Sequence, residues 1–440
     1  MGYMKFWSKK NDRFPLTEYQ KTMWYEQLNN PQNPVFNAGG CLEIEGYVDK
    51  KTFELAIKKI VAKNDALRIA ISESGGKAEQ QILRKVDYIP EYYDFSTKSR
   101  EDALAFIQKK FCTPFTVVNN VLFDFTLIKL SEKSFVIVSI FHHIIIDGWG
   151  CALVYRQLLD YYEMYLKRST KSVLKTFLHS KTFFYSNYIE ETLLYERSQR
   201  IEIDREYWYS KFESYQHVSI DEKYNCLRDG NLRKELFLDN SLIEKLNLYV
   251  KEHNCSVAHC VFAALYLSIN YAFKKDDIVI GFPVPNREKL SERLTVGFFD
   301  NIIPVRIAMK EVGYDLHSVM AFISKDLYLA YRHCKYPFHD VSESININYE
   351  SLFEVMFTYV KIDFSMPFLD YKTNLLTFSN NHEATVLTVI VEDFNKGGIK
   401  IYFDYKEKAF SDAIGIDEFV KYFFGLLKAV VNNKEALSLK

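Results

Sequence analysis

Phe141-His142-His143-Ile144-Ile145-Ile146-Asp147-Gly148-Trp149-Gly150 follows a run of nearly uninterrupted β-formers, Ser134 to Phe141, and precedes an apolar helical pattern that starts near Cys151. Two imidazoles, a carboxylate and a glycine therefore stand where a buried strand ends. Strand ends carry chemistry more often than strand middles, because a rigid sheet positions them and a loop exposes them. Nowhere else in the chain do two histidines adjoin. Just upstream, Val121–Leu130 and Ser134–His143 are two β-runs joined by the polar turn Ser131-Glu132-Lys133, a hairpin that delivers the motif. Just downstream, Leu153, Val154, Leu158, Leu159 and Tyr162 share one face of a predicted helix.

Further out, strands and helices alternate in both halves. Thr17 reads as the N-cap of a helix after Pro15. Asp49 precedes a helix with Phe53, Ala56, Ile57, Ile60 and Val61 at i, i+3, i+4, i+7 and i+8. Gly40–Glu45 and Leu67–Ile71 read as strands. Residues 1–14 are polar and loose, and Lys167–Lys175 lacks a strong pattern, which places a boundary near 175–180. Beyond it, the highly charged Glu190–Phe212 reads as helical, Asn240 or Ser241 caps a further helix, and Val257–Phe273 reads as a buried helix. Strands follow at Ile278–Val284, Val355–Val360, Thr385–Val391 and Ile399–Tyr405, and Asp417–Val431 closes the chain as a helix. The regular βαβ spacing of a doubly wound sheet and a Gly-rich phosphate loop are both missing. The order predicts two similar α/β lobes, each with a mixed sheet.

Composition narrows the function classes. A chain of 440 residues is long for one ordinary domain. Its 56 Lys plus Arg against 57 Asp plus Glu gives no basic excess for nucleic acid and no charged tail for a membrane surface. Seven cysteines at scattered positions, none in a CxxC pair, fit a reducing cytoplasm better than a disulfide or zinc framework. The N-terminus has no apolar stretch long enough for a signal peptide, and the uncharged run Cys255–Phe273 is interrupted by His259 and Asn270, as in a buried helix. The 31 Tyr and 35 Phe fill a core or line an apolar channel.

A histidine beside an acyl carbonyl can accept a proton from an attacking amine or alcohol, since its pKa lies near neutrality. Neighbouring side chains on a strand point to opposite faces. If the strand persists through the pair, His142 and His143 cannot face the same pocket, and one is structural. Asp147 can pair with an arginine to fix the loop or orient an imidazole. Gly148 permits a tight turn and lets a backbone N–H approach a substrate oxygen. The spacing is equally that of hydrogen-bonded core histidines and an ordinary Asp-Gly turn. A metal site on His142, His143 and Asp147 lacks a clear further ligand cluster, so none is assigned. With no GxSxG elbow and no cysteine beside a histidine, the sequence gives no support for covalent catalysis.

The pattern His-His-x-x-x-Asp-Gly at His142–Gly148 resembles the signature of nonribosomal peptide synthetase condensation domains and their acyltransferase relatives. Other segments resemble that family in order along nearly the whole chain: Leu16–Gln20 through Met23-Trp24, Asn64–Arg68, Tyr185–Tyr188 (with Asn187 for the usual Asp and Glu191 for the usual Trp), Gly281–Val284 with Asn286-Arg287, Val296–Asn301, Tyr336–Phe338 and Ser351–Phe357. The heterocyclising subclass replaces both histidines with Asp, and the oxygenase-recruiting subclass breaks the pair; neither change is present here.

The resemblance implies a pseudo-dimer of two chloramphenicol-acetyltransferase-like lobes in a V shape, residues 1–178 and 179–440, with an active-site tunnel at their interface. It implies a donor acyl thioester on the phosphopantetheine arm of an acyl or peptidyl carrier protein, an amine acceptor that is free or carrier-bound, and no cofactor held by the chain itself. His143 matches the catalytic histidine, as base or as positioning group. His142, Asp147 and Gly148 match supporting positions, Arg287 is the candidate ion-pair partner of Asp147, tying the motif loop to the second lobe, and Asn301 matches a position near the tunnel. A free-standing monomeric cytoplasmic enzyme that forms an amide is the expectation. An excised domain, an O-acyltransferase using a carrier- or CoA-bound acyl group, and a catalytically silent carrier-docking module are the alternatives.

Overall fold

The structure, a computed structural model, describes residues 13–167, 184–216, 219–220, 230–344, 353–361, 368–383, 385–393 and 398–431. The expected boundary at 178/179, Ser351 and Leu352 of the last family-like segment, Cys226 and most of the loose 1–14 stretch lie outside them.

The chain forms two compact units, each assembled from three segments. The first holds 1–198, 285–300 and 364–380; the second holds 199–284, 301–363 and 381–440. A single cut at 178/179 would therefore put three stretches, 179–198, 285–300 and 364–380, with the wrong unit. Composition registers local breaks in the chain, whereas the unit a segment joins is decided by the strands and side chains it meets.

In the first unit the elements run β1 (Arg13–Pro15), α1 (Glu18–Asn29), β2 (Asn37–Glu45), α2 (Lys50–Lys63), β3 (Ile69–Ser74), β4 (Lys77–Ile82), β5 (Glu91–Asp94), α3 (Arg100–Phe111), β6 (Phe123–Ser131), β7 (Ser134–His142), α4 (Gly148–Lys167) and a helix at Tyr185–Tyr195. A five-stranded sheet has the order Lys372–Leu376, β2, β7, β6, β5, antiparallel except for the parallel pair β5–β6. β7 is its centre. Phe135, Ile137 and Phe141 enter a core with Phe53, Ile57 and Ile60 of α2 and Val154 and Leu158 of α4. The alternate residues Val136, Val138 and Ile140 join Ala103, Ile107 and Phe111 of α3 in a second cluster. With both faces covered, the strand reads as a continuous apolar run.

Local chemistry sets the helix starts. Gln20 N donates to Thr17 Oγ1 at 3.4 Å while Thr17 N donates to Gln20 Oε1 at 3.0 Å, a reciprocal capping box. Asp49 accepts from Thr52 N at 2.8 Å. One expectation shifts and one is refined. Asp239, rather than Asn240 or Ser241, caps the next helix, accepting from Leu242 N. The charged stretch after 190 is two helices, Tyr185–Tyr195 and Gln199–Phe212. The strand Lys372–Leu376 carries little apolar patterning and has no sequence signal of its own; its pairing with β2 bridges more than 300 positions.

The second unit is built on a six-stranded mixed sheet in the order Asn301–Ala308, Asp277–Val284, Val355–Val360, Leu387–Glu392, Ile399–Tyr405, Leu232–Leu238, the two inner pairs around Val355–Val360 being parallel. Ile278 and Ile280 pack with Val257–Phe273, Ile416–Val431 and Leu316–Tyr331, while the intervening Val279 joins Trp208, Phe212 and Ile303. Among the described residues no single helix is long and apolar enough to cross a membrane. Val257–Phe273 is the core helix of this unit, with residues 260–270 all buried. The six described cysteines form no disulfide.

Asn380 ends the segment that adds its strand to β2. Its Nδ2 lies within 3.0 Å of the Pro34 and Val35 carbonyls and 3.3 Å of that of Asn37, so two protons serve three acceptors. Leaving buried carbonyls unsatisfied costs about 1–3 kcal/mol. Asn380→Ala is expected to lose that much in urea unfolding and to raise amide exchange in peptides covering 368–380; unchanged exchange there would contradict this anchoring.

Candidate active site

β7 ends at His142, and the chain turns at once into a single 3₁₀ turn, His143–Ile145. The strand thus stops between the two histidines, and the turn gives them different surroundings. His142 is fully buried. Its Nδ1 accepts from Ile144 N at 3.2 Å, which leaves Nε2 to donate to Gln27 Oε1 at 3.3 Å. Gln27 is itself fixed by donating to the Asn30 and Asn33 carbonyls. The rings of Phe36 and Phe115 flank the imidazole. Burial, then the neighbouring His143, pushes its pKa down to about 3, so His142 is a neutral structural group.

His143 is partly exposed. Its backbone N–H donates to Phe36 O at 2.8 Å and its carbonyl accepts from Ile146 N at 3.1 Å, so the main chain is held on both sides. Its ring meets the Phe298 ring edge-on at 5.6 Å. Nδ1 is buried and makes no hydrogen bond. A proton on Nδ1 leaves the Nε2 lone pair free for a substrate proton. Burial lowers the pKa, and the charge of Asp147 opposes part of that shift.

Asp147 is the anchor of the loop. Both its oxygens accept from Arg287 Nη2 at 2.9 Å; Oδ1 also accepts from Gly150 N at 2.6 Å and Oδ2 from Phe299 N at 2.9 Å. Neither partner is more than 1% exposed at the side chain. Arg287 also donates through Nη1 to the Glu292 and Thr295 carbonyls and through Nη2 to Gly297 O, and its guanidinium carbon sits 3.8 Å from the Phe299 ring centroid. Asp147 N donates to Gly297 O at 3.1 Å. The expected ion pair is present, but both partners belong to the first unit, so it does not tie the motif to the second one.

Gly148 opens α4, is exposed, and has no positive φ; a Cβ there would meet nothing within 4 Å. The backbone there uses none of glycine's left-handed freedom. Close approach is required instead at Gly150, where a Cβ would come within 2.6 Å of Ile146, and at Gly297, where it would run into the Tyr185 ring. Asn301 begins the strand Asn301–Ala308 in the second unit, donating to the Cys334 and Tyr336 carbonyls and accepting from Ile302 N.

Several supports carry no assigned role in the sequence reading, although their segments stand out there. Gln20 donates to Ile144 O at 3.0 Å and to Gln80. Asp65 accepts from Tyr185 N and Ser186 N, each at 2.9 Å, and Tyr185 Oη donates to Phe298 O at 2.8 Å. Asn187 Oδ1 accepts from Phe184 N, so the substituted position still works as a cap contact. Among the described residues no group of three or more His, Cys, Asp or Glu side chains could hold a metal ion.

His143, just past the strand end, and the buried Asp147–Arg287 pair stand in the same compact unit. The condensation-domain family model matches residues 10–438, and the chain belongs to the condensation-domain family. The chain is 25% identical over 413 residues to a plipastatin synthase polypeptide of Bacillus subtilis (strain 168), covering 90% of this chain and 16% of that protein. It is 23% identical over 436 residues to bacitracin synthase 3 of Bacillus licheniformis, covering 97% of this chain and 7% of that one. The chain thus spans less than a fifth of the length of these relatives. The fold matches a point mutant of the starter condensation domain of rhizomide synthetase RzmA in complex with C8-CoA at TM-score 0.83 and 19% identity, covering 96% of this chain and 95% of that one. It matches the first condensation domain of the CDA synthetase at TM-score 0.80 and 19% identity, covering 97% of each.

Removing one partner of a buried ion pair leaves an uncompensated charge and costs about 3–5 kcal/mol. Asp147→Ala should therefore lose stability of that order in urea unfolding; a loss under about 1 kcal/mol would contradict the anchoring role. His142 provides a separate check. Its pKa is depressed in the fold, so its contribution is complete above pH 6.5 and is lost as pH falls towards its folded pKa of about 3. The slope is about 1.4 kcal/mol per pH unit. His142→Phe should flatten the acid side of the stability profile by that amount, measured from pH 6 to pH 4.

Proposed function

We propose that this chain forms an amide bond between an acyl or aminoacyl thioester, carried on the phosphopantetheine arm of a carrier protein, and an amine acceptor. The observation that carries this reading is the state of His143: a neutral imidazole whose Nδ1 is turned inward, on a loop anchored by Asp147 and Arg287, in a chain of the condensation-domain family.

The amine nitrogen attacks the thioester carbonyl carbon. The C–N bond forms, the C–S bond breaks, and one amine proton ends on the departing sulfur. His143 Nε2 serves this transfer either by taking that proton and returning it to the thiolate or by hydrogen-bonding the nucleophile and the tetrahedral intermediate. Asp147 and Arg287 hold the loop and touch no reacting atom; they are positioning residues. The arm is substrate and not a resident cofactor. A donor on coenzyme A is a second form of the same reading, favoured by the likeness to a starter condensation domain described in complex with C8-CoA.

The test is reconstitution with acyl-loaded carrier protein or octanoyl-CoA and paired amine and alcohol acceptors. Amide is the expected product, and His143→Ala should reduce turnover at least about 100-fold, the lower range for general acid–base catalysis. Ester from the alcohol with no amide would move the assignment to O-acyl transfer; tight carrier binding with no product would move it to a docking module. If His143 is the base, the acid limb of kcat/KM falls below pH 6.5, because burial lowers its pKa. Activity that follows pH with no such limb leaves His143 the positioning role.

A further inference from the structure

Tyr185 opens the helix Tyr185–Tyr195 and is fully buried, yet the reaction as described gives it no part. It lies in the same compact unit as the motif loop, against three consecutive residues, Gly297, Phe298 and Phe299, that each touch that loop. Its ring occupies the space that a Cβ on Gly297 would need. The Gly297 carbonyl accepts from Asp147 N at 3.1 Å and from Arg287 Nη2 at 3.2 Å. Its hydroxyl donates to Phe298 O at 2.8 Å, and the Phe298 ring meets the His143 imidazole edge-on. Its ring meets that of Phe299 edge-on at 5.5 Å, and Phe299 N donates to Asp147. Tyr185 is itself held from outside its helix: Asp65, also buried, accepts from Tyr185 N and Ser186 N at 2.9 Å each. These first N–H groups have no partner within the helix, and a carboxylate beside them is favoured by the helix dipole. A phenylalanine would fill the same space. What the hydroxyl adds is the bond to Phe298 O, without which burying it would be unfavourable.

We propose that Tyr185 is a positioning residue of the active site, whose hydroxyl, by holding Phe298 O, sets the Phe298 ring against the imidazole of His143. This rests on the reading of the function given above. An imidazole is commonly oriented by the hydrogen bond that its second ring nitrogen makes. His143 Nδ1 makes none, so the edge-on contact with Phe298 takes over that task. A ring oriented by packing is only as fixed as the residue packed on it. Phe298 is fixed through its own carbonyl by Tyr185 and through the next residue by the bond from Phe299 N to Asp147. Removing the first of these leaves the charged anchor intact and loosens only the wall of the imidazole. Tyr185 touches no reacting atom, and its effect passes through Phe298.

The experiment uses Tyr185→Phe, which keeps the ring and removes the hydroxyl, and Tyr266→Phe as its control. Tyr266 is equally buried and donates to the Ile307 carbonyl in the core of the second unit. In the amide assay Tyr185→Phe should lower kcat about tenfold with KM within about twofold, a part of the roughly 100-fold that a 1 Å misplacement can cost. Tyr266→Phe should stay near wild type. In a Phe298→Leu background, which lacks the ring, Tyr185→Phe should lower kcat by no more than about twofold further. A second readout is the NMR signal of His143 in protein labelled with ¹³C at histidine Cε1, assigned by its absence from His143→Ala. Tyr185→Phe should move or broaden that signal and leave the His142 signal in place. An equal loss of kcat in the control, a full tenfold loss in the Phe298→Leu background, or an unmoved His143 signal would overturn the proposal. If the His143 signal moves as expected while no protein forms amide, the positioning role stands and the assigned reaction falls.

Discussion

The buried pair Asp147–Arg287 is the constraint on which the candidate site depends. Asp147 accepts four hydrogen bonds, from Gly150 and Phe299 backbone N–H groups and from one guanidinium nitrogen shared between its two oxygens. Each of these fixes a different piece of chain: the first turn of α4, the segment 297–299 and the segment around 287. A carboxylate with these partners is stable in a low-dielectric interior only as an assembled set, because any missing partner leaves charge or a donor unpaired. The geometry that follows His143 is thus decided all at once or not at all.

That constraint also explains how two adjacent histidines come to differ. His142 is the last residue of a fully buried strand and turns its imidazole into the cap of the following turn, where Gln27 and two aromatic rings enclose it. His143 is one residue later, past the strand, with its main chain pinned to Phe36 and Ile146 and its ring against Phe298. A rigid backbone that holds an imidazole in one place is what proton transfer or positioning of a nucleophile requires. Small residues complete the fit: Gly150 and Gly297 allow the loop and the 297–299 segment to approach more closely than a Cβ would permit.

Much of this was legible in the chain itself. Period-3.6 patterning located α2 and α4, the hairpin β6–β7 followed from two apolar runs around a polar turn, and the order of the family-like segments pointed to the condensation-domain family and to the Asp147–Arg287 pair. The less visible elements were those with weak periodicity and distant partners. Lys372–Leu376 has no core pattern of its own and exists as a strand because β2 offers it an edge.

The sequence by itself determined which residues form buried strands and helices, where the histidine pair stands relative to a strand end, and which family the chain joins. These depend on hydrophobic period, caps and motif order, all of which are local or linear properties. Only the tertiary structure decided which compact unit holds residues 285–300 and 364–380, that the Asp147–Arg287 pair lies within one unit, and that Gly148 needs no special φ while Gly150 and Gly297 need close approach. Those outcomes depend on contacts between residues far apart in the chain, whose energies arise from burial and charge in the assembled interior and leave no trace in local patterning.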